Sequence, residues 1–141
     1  MKRCFVDTNL FIRYLTNDDT AKADRVEKLL DDAAKGAVAL VTTELVMAEV
    51  VWVLESAYGL KGGEVSPLIR GILATPGLEV INAPLVSRAL EFYETHRIDF
   101  IDGYIAAVME KEGITELYSF DRKHISRLKS IMRKEPQDTN I

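Results

Sequence analysis

The sequence has little cysteine and lacks the apolar segments of exported or membrane-spanning proteins. Cys4 is its single cysteine, so neither an intrachain disulfide nor a cysteine-rich zinc site is expected. The apolar residues near the start end at Asp7, too early for a signal-peptide core. The longest apolar stretch, residues 37–54, is interrupted by threonine and glutamate, which argues against a bilayer span. We therefore expect a soluble protein of the reducing cytoplasm, with no membrane segment.

Net positive charge and glycine-rich phosphate loops are also absent. The 22 acidic residues outnumber the 18 basic ones, which gives a net charge of −4 and excludes nucleic-acid binding through bulk positive charge. No GxGxxG or GxxxxGK[ST] motif occurs, so dinucleotide and P-loop sites are excluded. The 141 residues, of which 48% are hydrophobic and 28% charged, fit one globular domain. We expect this domain to cover residues 1–135, with a polar tail at residues 136–141.

Short apolar runs alternate with helical patterns along the chain. Strands are predicted at residues 4–6, 38–41, 78–81 and 116–120, with an edge strand at 131–132. Helices are predicted at residues 9–15, 20–35, 44–57, 64–73, 84–96 and 99–111. The run 50–54 is apolar on all sides, which is typical of a buried helix, and residues 61–63 are expected to form a flexible loop. The alternation predicts an α/β fold, a three-layer sandwich whose central, mostly parallel sheet of four to five strands is flanked by helices.

Acidic residues stand at the points where this fold gathers functional groups. Asp7 and Asp121 directly follow the first and fourth predicted strands. Glu49 lies in the second turn of the helix after the second strand, and Asp99 and Asp102 lie in the first turn of another helix. Because the carboxyl ends of parallel strands share one edge of a sheet, we expect Asp7, Glu49, Asp102 and Asp121 to converge there.

Clustered carboxylates need positive charge, and few lysine or arginine residues lie near these four in the sequence. Glu49 has apolar neighbours one helical turn away, so burial there would require a cationic partner. Oxygen ligands without cysteine favour Mg²⁺ or Mn²⁺, one or two ions. The sequence therefore predicts metal-assisted phosphoryl chemistry. The competing interpretation is local, because Asp7 and Asp121 also suit turns and Asp99 suits a helix N-cap.

Four segments in order resemble the PIN-domain nucleases and, within them, the VapC-like toxins of toxin–antitoxin pairs. The segments are Val6–Asn9, Met47–Val50, Ile98–Ala107 and Tyr118–Asp121. The resemblance implies a Mg²⁺- or Mn²⁺-dependent endoribonuclease that is held inactive by an antitoxin protein and is often a homodimer. It implies Asp7 and Asp102 as principal metal ligands, with Glu49 and Asp121 completing the acidic pocket, and RNA products with 5′-phosphate and 3′-hydroxyl ends.

Two positions depart from the family pattern. Gly103 stands where alanine is usual after the third acid, and Lys123 and His124 follow Asp121 in place of an acidic or polar residue and an aromatic one. Both changes leave the carboxylates in place. They make the geometry around Asp121 harder to predict than that around Asp7.

Secondary roles fall to neighbouring polar and basic residues. Thr8 and Asn9 are candidates to orient Asp7, and Asp99 to support Asp102. Residues 122–134 contain six basic residues and no acidic one, so this segment is a candidate for binding phosphates that flank the scissile bond. The candidate RNA-binding residues are Arg13, Arg122, Lys123 and Arg127. The two histidines, His96 and His124, show no metal-ligand spacing and are expected on the surface.

Two enzyme or signalling classes share the strand-end aspartate. Phosphatases of the haloacid dehalogenase type need a second aspartate two residues on, where this chain has Asn9. A receiver domain needs an aspartate after its third strand, where this chain has Asn82. A non-catalytic, metal-binding PIN-like or receiver-like domain that binds a protein partner remains the alternative function.

Overall fold

The computed structural model describes residues 1–137 and contains, within them, five short strands and six α-helices. The strands are β1 (Arg3–Phe5), β2 (Ala39–Thr43), β3 (Leu78–Ile81), β4 (Glu116–Tyr118) and β5 (Met132–Lys134). The helices are α1 (Thr8–Thr16), α2 (Thr20–Ala34), α3 (Glu44–Ser56), α4 (Gly62–Leu73), α5 (Ala83–His96) and α6 (Phe100–Glu112), and a 3₁₀ turn covers Ile125–Arg127. The predicted α/β class is confirmed.

The chain forms two compact units, Met1–Ser87 and the residues from Arg88 onward. Hydrogen bonds join the described strands as a three-stranded sheet in the first unit and a two-stranded pair in the second. All of these pairings are parallel, as the sequence predicts. The single domain over residues 1–135 remains a prediction. Of the predicted polar tail, residues 138–141 lie outside the described residues, and Pro136 and Gln137 are exposed.

The sheet of the first unit places Asp7 at its carboxyl edge. Strand β2 lies in the middle and pairs with β1 and β3, with Leu40 opposite both Cys4 and Leu78. Parallel neighbours need long crossovers, which the helix pairs α1–α2 and α3–α4 supply. The buried hydroxyl of Thr42 donates to the carbonyl oxygen of Val6 at 2.9 Å. This bond fixes the chain at the end of β1, immediately before Asp7.

Helix α3 supplies much of the core of the first unit. Met47, Val50 and Leu54 are fully buried, and each such side chain contributes roughly 2 kcal/mol of hydrophobic stabilisation. The prediction that this helix is buried on all sides was wrong, because Leu45 and Trp52 are 76% and 66% exposed. Apolar composition does not tell which face of a helix meets the core, and here one apolar face remains outside it.

Helix α4 begins earlier than the sequence indicates. Gly62 is already helical and Lys61 occupies the N-cap position. The backbone N–H of Lys61 donates to the Glu64 carboxylate at 3.3 Å, and the N–H of Glu64 donates to the carbonyl of Lys61 at 2.8 Å. These two hydrogen bonds between Lys61 and Glu64 stabilise the first turn of α4, which therefore includes the glycines that were expected to form a flexible loop.

The second unit brings α5 and α6 into close contact. A Cβ atom at Gly103 would lie 2.7 Å from the carbonyl oxygen of Ala89, so the two backbones approach as closely as only glycine permits. Helix α6 ends, as predicted, at Gly113, whose φ of 71° lies in the left-handed region. The predicted last strands are present with shifted ends, and Tyr118 of β4 pairs with Lys134 of β5.

Candidate active site

Asp7 occupies the junction between β1 and α1. It is the N-cap of α1, and its Oδ1 accepts a hydrogen bond from the N–H of Leu10 at 3.4 Å. The residue is exposed, so the long capping bond leaves the carboxylate open to solvent. Asp7 can therefore cap α1 and also serve as a metal ligand, because its carboxylate remains accessible to solvent while it caps the helix.

Asp7 shares a pocket with Glu49. The pocket has a volume of about 430 Å³, and its lining includes Asp7, Thr8, Asn9, Arg13, Glu49 and Tyr58. Glu49 is exposed, so the cationic partner that its burial would have required is not needed. Two of its apolar neighbours, Leu45 and Trp52, are themselves exposed. Glu49 thus lines an open acidic pocket, and its charge is solvated, so the folded state needs no cation to offset it.

A hydrogen-bonded group around Asp18 fixes two side chains of this pocket. The Asp18 carboxylate accepts from the Tyr58 hydroxyl at 2.7 Å, the Thr16 hydroxyl at 3.0 Å and an Arg13 guanidinium nitrogen at 3.3 Å. These bonds, with that from Tyr58 the largest, hold the pKa of the Asp18 carboxyl below its usual value. Arg13, one of the predicted RNA contacts, is therefore positioned at the pocket by an ion pair.

In the second unit, Asp99 and Asp102 meet a histidine. His124 Nδ1 lies 3.3 Å from Asp99 Oδ2 and 3.4 Å from Asp102 Oδ2. The three residues together could hold a metal ion, since one ligand atom from each lies within 4.8 Å of the others. The expectation that His124 is a surface histidine was wrong, because its side chain is only 15% exposed. No local pattern signals this contact, since His124 lies 22 positions after Asp102 in the sequence.

Asp102 is the acidic group of this unit that most needs a cation. Burial, and then the negative charges of Asp121 and Asp99, raise the pKa of the Asp102 carboxyl above its usual value. Asp99 is at the predicted N-cap position of α6, although its side chain makes no capping bond. The backbone N–H of Asp99 donates to His124 Nδ1 at 3.0 Å. The carboxylate of Asp99, which is free of a capping bond, has an oxygen within 4.8 Å of one from Asp102.

Asp121 lies in a turn after β4. Its Oδ1 accepts from the N–H of Lys123 at 2.8 Å, and its own N–H donates to the Ser119 hydroxyl at 3.0 Å. The bond from Lys123 is the main reason that the pKa of the Asp121 carboxyl lies below its usual value. Asp121 therefore has a local role in this turn and also contributes negative charge near Asp102.

The carboxylates described here lie within a segment that matches a known family. The sequence matches the PIN domain over residues 4–130. The chain belongs to the PIN domain family. A protein of Aquifex aeolicus (strain VF5) named VapC ribonuclease is 24% identical over 118 residues, which are 84% of this chain and 87% of that protein. The crystal structure of Mycobacterium tuberculosis VapC20, titled a Sarcin-Ricin loop cleaving toxin, covers 86% of this chain and 92% of its own at 23% identity, with a TM-score of 0.40.

The donor set of this PIN domain fits divalent cations. Asp7 and Glu49 offer exposed carboxylate oxygens in the first unit. In the second unit, the exposed Asp99 and the largely buried Asp102 offer carboxylate oxygens that lie within 4.8 Å of each other. Such oxygens are the usual ligands of Mg²⁺ and Mn²⁺. The raised pKa of Asp102 supports the same assignment, because a divalent ion would favour its ionised form.

The basic segment after Asp121 is largely occupied by internal contacts. Arg122 donates to the Glu135 carboxylate at 3.0 and 3.1 Å, and Arg127 donates to the carbonyl of Arg97. Lys123 is exposed. The sequence analysis counted six basic residues and no acidic one in residues 122–134. Glu135 follows this segment directly, and its ion pairs with Arg122 and Arg133 neutralise part of the positive charge.

A second group of cations, which sequence reasoning missed, lines a groove between α1 and α2. The groove has a volume of about 390 Å³, and its lining includes Asn9, Leu10, Arg13, Lys22, Arg25 and Val26. Asn9 and Arg13 also line the pocket of Asp7 and Glu49, so the groove and the acidic pocket adjoin. The sequence signal was the spacing of Lys22 and Arg25, which places both on one face of α2.

Proposed function

We propose that this PIN domain is a Mg²⁺- or Mn²⁺-dependent endoribonuclease that hydrolyses RNA phosphodiester bonds. The observation that carries the proposal is Asp102, a largely buried carboxylate whose pKa is raised by its burial and then by the negative charges of Asp121 and Asp99. Such a group suits a site that binds a divalent ion. The name of the Aquifex aeolicus relative, VapC ribonuclease, supports RNA as the substrate.

Both groups of acids have a role in this proposal. Asp7 and Asp102 hold one or two divalent ions, and Glu49 and Asp121 add negative charge for the same purpose. When bound, such an ion supplies a more acidic water and a positive charge for the leaving oxygen. Thr8 and Asn9, next to Asp7 in the pocket, orient its carboxylate or the attacking water. Asp99 supports Asp102 from the preceding turn.

RNA binding is assigned to cations beside the acidic pocket. Arg13 lies at the junction of the pocket and the groove, and Lys22 and Arg25 continue along the groove. These residues suit the phosphates that flank the scissile one. Among the residues predicted from the sequence, Lys123 keeps this role more readily than Arg122 and Arg127, which have internal partners.

The biological role we propose is that of a cytoplasmic toxin, bound and inhibited by an antitoxin protein and assembled as a homodimer. No helix among the described residues is long and apolar enough to cross a bilayer. The exposed Leu45 and Trp52 on α3 supply an apolar surface that suits a protein partner. Sedimentation equilibrium tests the homodimer, and rescue of growth-arrested cells by the adjacent reading frame tests the antitoxin.

Metal removal and replacement test the enzymatic proposal. We expect the purified chain to cut a pool of cellular RNA, to stop in excess EDTA, and to recover when Mg²⁺ or Mn²⁺ is restored. Sequencing of the cut ends then identifies the target. Cleavage that survives EDTA would contradict a metal mechanism. Metal binding without any cleavage would favour the alternative, a non-catalytic metal-binding PIN-like domain.

A further inference from the structure

Tyr58 ties together two segments of the first unit that border the pocket of Asp7. It lies just after α3, and its hydroxyl donates to the carboxylate of Asp18 at 2.7 Å. Asp18 lies in the connection between α1 and α2, 40 positions earlier in the sequence. Residues of α1 and α3 line the pocket, so this bond joins the end of one lining helix to the segment that follows the other.

Asp18 holds the guanidinium of Arg13 at this pocket. Its Oδ1 lies 3.3 Å from Arg13 Nη1, and its Oδ2 accepts the bond from Tyr58. A carboxylate that is bonded through both oxygens to different segments of the chain has little freedom to rotate. The Tyr58 hydroxyl therefore fixes Asp18, and Asp18 fixes the direction from which it holds Arg13.

The guanidinium of Arg13 keeps hydrogen-bonding capacity beyond this ion pair. An arginine carries several N–H donors, and the bond to Asp18 uses Nη1. Arg13 Nε is buried and has no hydrogen-bond partner among the residues that the structure describes. A buried donor without a partner is unfavourable, so Asp18, and not a full set of its own hydrogen bonds, holds Arg13 in place. The Arg13 side chain is still 34% exposed and lines both the acidic pocket and the groove, so a phosphate can approach it.

We propose that Asp18 and Tyr58 are positioning residues that hold Arg13 for an RNA phosphate where the acidic pocket adjoins the groove. A planar guanidinium binds phosphate more tightly when it is already held in one orientation, because less freedom is then lost on binding. This assignment deepens the RNA binding of the proposed function and rests on it. It also accounts for an acidic residue beside the groove, since the charge of Asp18 alone would repel a phosphate.

A double-mutant cycle tests whether Tyr58 and Asp18 act through Arg13. Labelled single-stranded RNA is titrated with the full-length chain in the Asp7→Asn background, which prevents cleavage. Fluorescence anisotropy gives the affinity at several salt concentrations. Tyr58→Phe and Asp18→Asn are each measured alone and together with Arg13→Gln.

The chain offers a matched control for each substitution. Tyr14→Phe, on α1, removes the hydroxyl of another tyrosine, and Asp24→Asn, on α2, removes the charge of another exposed aspartate. Neither residue belongs to the lining of the pocket or of the groove. Both controls should leave the RNA affinity within about twofold of the parent, and circular dichroism checks that every variant is folded.

We expect Tyr58→Phe to weaken RNA binding about fivefold. It should also lower the slope of log affinity against log salt by about 0.7, as the loss of one phosphate contact on a single strand would, although it changes no charge. Asp18→Asn should weaken binding too, which is opposite to the effect of removing a negative charge from an RNA-binding surface. Neither substitution should weaken binding further once Arg13 is replaced by glutamine.

Three results would each overturn the proposal. They are an unchanged affinity in Tyr58→Phe, a stronger affinity in Asp18→Asn, and a weakening by Tyr58→Phe that is equally large in the Arg13→Gln background. Should Asp18→Asn fail to fold, Tyr58→Phe carries the test by itself, because it removes only a hydroxyl group.

Cleavage by the chain with Asp7 restored separates this proposal from the proposed function. A chain that shows the expected coupling in binding, and leaves RNA intact with Mn²⁺ or Mg²⁺, would support the positioning role and contradict the nuclease. A chain that cuts RNA, while Tyr58→Phe keeps the parent affinity and salt slope, would do the reverse. A chain that binds no RNA would overturn the positioning role, whatever its cleavage activity.

Discussion

Asp102 is a residue whose charge opposes folding in the metal-free protein. Its pKa is raised, so the folded state holds its proton more tightly than the unfolded state does. The contribution of this group is favourable below the unfolded pKa near 3.8 and is lost as the pH rises through the folded pKa. At neutral pH the ionised carboxylate therefore costs stability that a bound cation would restore.

The first prediction concerns Asp102→Asn in the presence of EDTA. This variant should unfold at a higher urea concentration than the wild type at pH 7, because a neutral amide removes a buried charge next to Asp99 and Asp121. The difference should disappear as the pH falls below about 3.8. Asp24→Asn, on an exposed face of α2, is the control and should change the free energy of unfolding by less than about 0.5 kcal/mol. A destabilised Asp102→Asn at pH 7 would contradict this account.

Single residues show where sequence reasoning succeeded and where it failed. The position of Asp7 between β1 and α1 was predictable because the end of a strand and the start of a helix are both local features of the sequence. His124 was not, because its contact with Asp102 depends on the turn after Asp121 and on the path of the chain between them. At Glu49 the apolar neighbours left open whether the side chain is buried, and the structure shows it exposed.

At the scale of elements, the α5–α6 contact explains a departure from the family pattern. Alanine is a better helix former than glycine by about 1 kcal/mol, and yet Gly103 lies in the first turn of α6. The carbonyl oxygen of Ala89 would lie 2.7 Å from a Cβ at this position. Glycine is therefore required by packing between the two helices, which a helix propensity does not report.

The second prediction compares two glycines. Gly103→Ala should lower the free energy of unfolding by about 1–3 kcal/mol, because overpacking outweighs the gain in helix propensity. Gly71→Ala, in α4, has no heavy atom within 4 Å of the new Cβ and should raise it by about 0.5–1 kcal/mol. Urea denaturation measures both. A stabilised Gly103→Ala would show that α5 and α6 do not approach each other as described.

The third prediction tests the groove between α1 and α2. Replacing Lys22 and Arg25 with glutamine, in an Asp7→Asn background that prevents cleavage, should weaken RNA binding measured by fluorescence anisotropy. The slope of log affinity against log salt should fall by about 1.4, which corresponds to two phosphate contacts on a single strand. Lys28→Gln removes a cation of the same helix that pairs with Asp32 at 3.9 Å. Equal loss of affinity in Lys28→Gln would refute a specific role for the groove.

Helix and strand positions were largely predictable from hydrophobic periodicity, and most boundaries fell within a few residues of the observed ones. The parallel direction of the strand pairs was predicted correctly. The grouping of the strands was not, because the described strands form one group of three and one of two where a single sheet of four to five was expected. Hydrogen-bonded register depends on contacts between distant segments. Periodicity within a segment carries no information about those contacts.

At the scale of the whole molecule, an acidic protein is proposed to act on an acidic polymer. The net charge of −4 conceals separate local surfaces, since Asp7 and Glu49 line one pocket and Lys22 and Arg25 an adjoining groove. Divalent ions at the carboxylates would offset their charge and leave the groove to attract phosphate. The central claim is that both groups of acids are required for metal-dependent cleavage of RNA.

Cleavage of labelled RNA by three variants tests this claim most directly. With Mn²⁺ or Mg²⁺ present, Asp7→Asn and Asp102→Asn should each lower the cleavage rate by about a hundredfold or more, while Asp24→Asn should match the wild type. Each variant is first shown to be folded by circular dichroism. The account predicts loss of cleavage in both of the first two variants. A folded Asp7→Asn or Asp102→Asn protein that cuts RNA at the wild-type rate would contradict it.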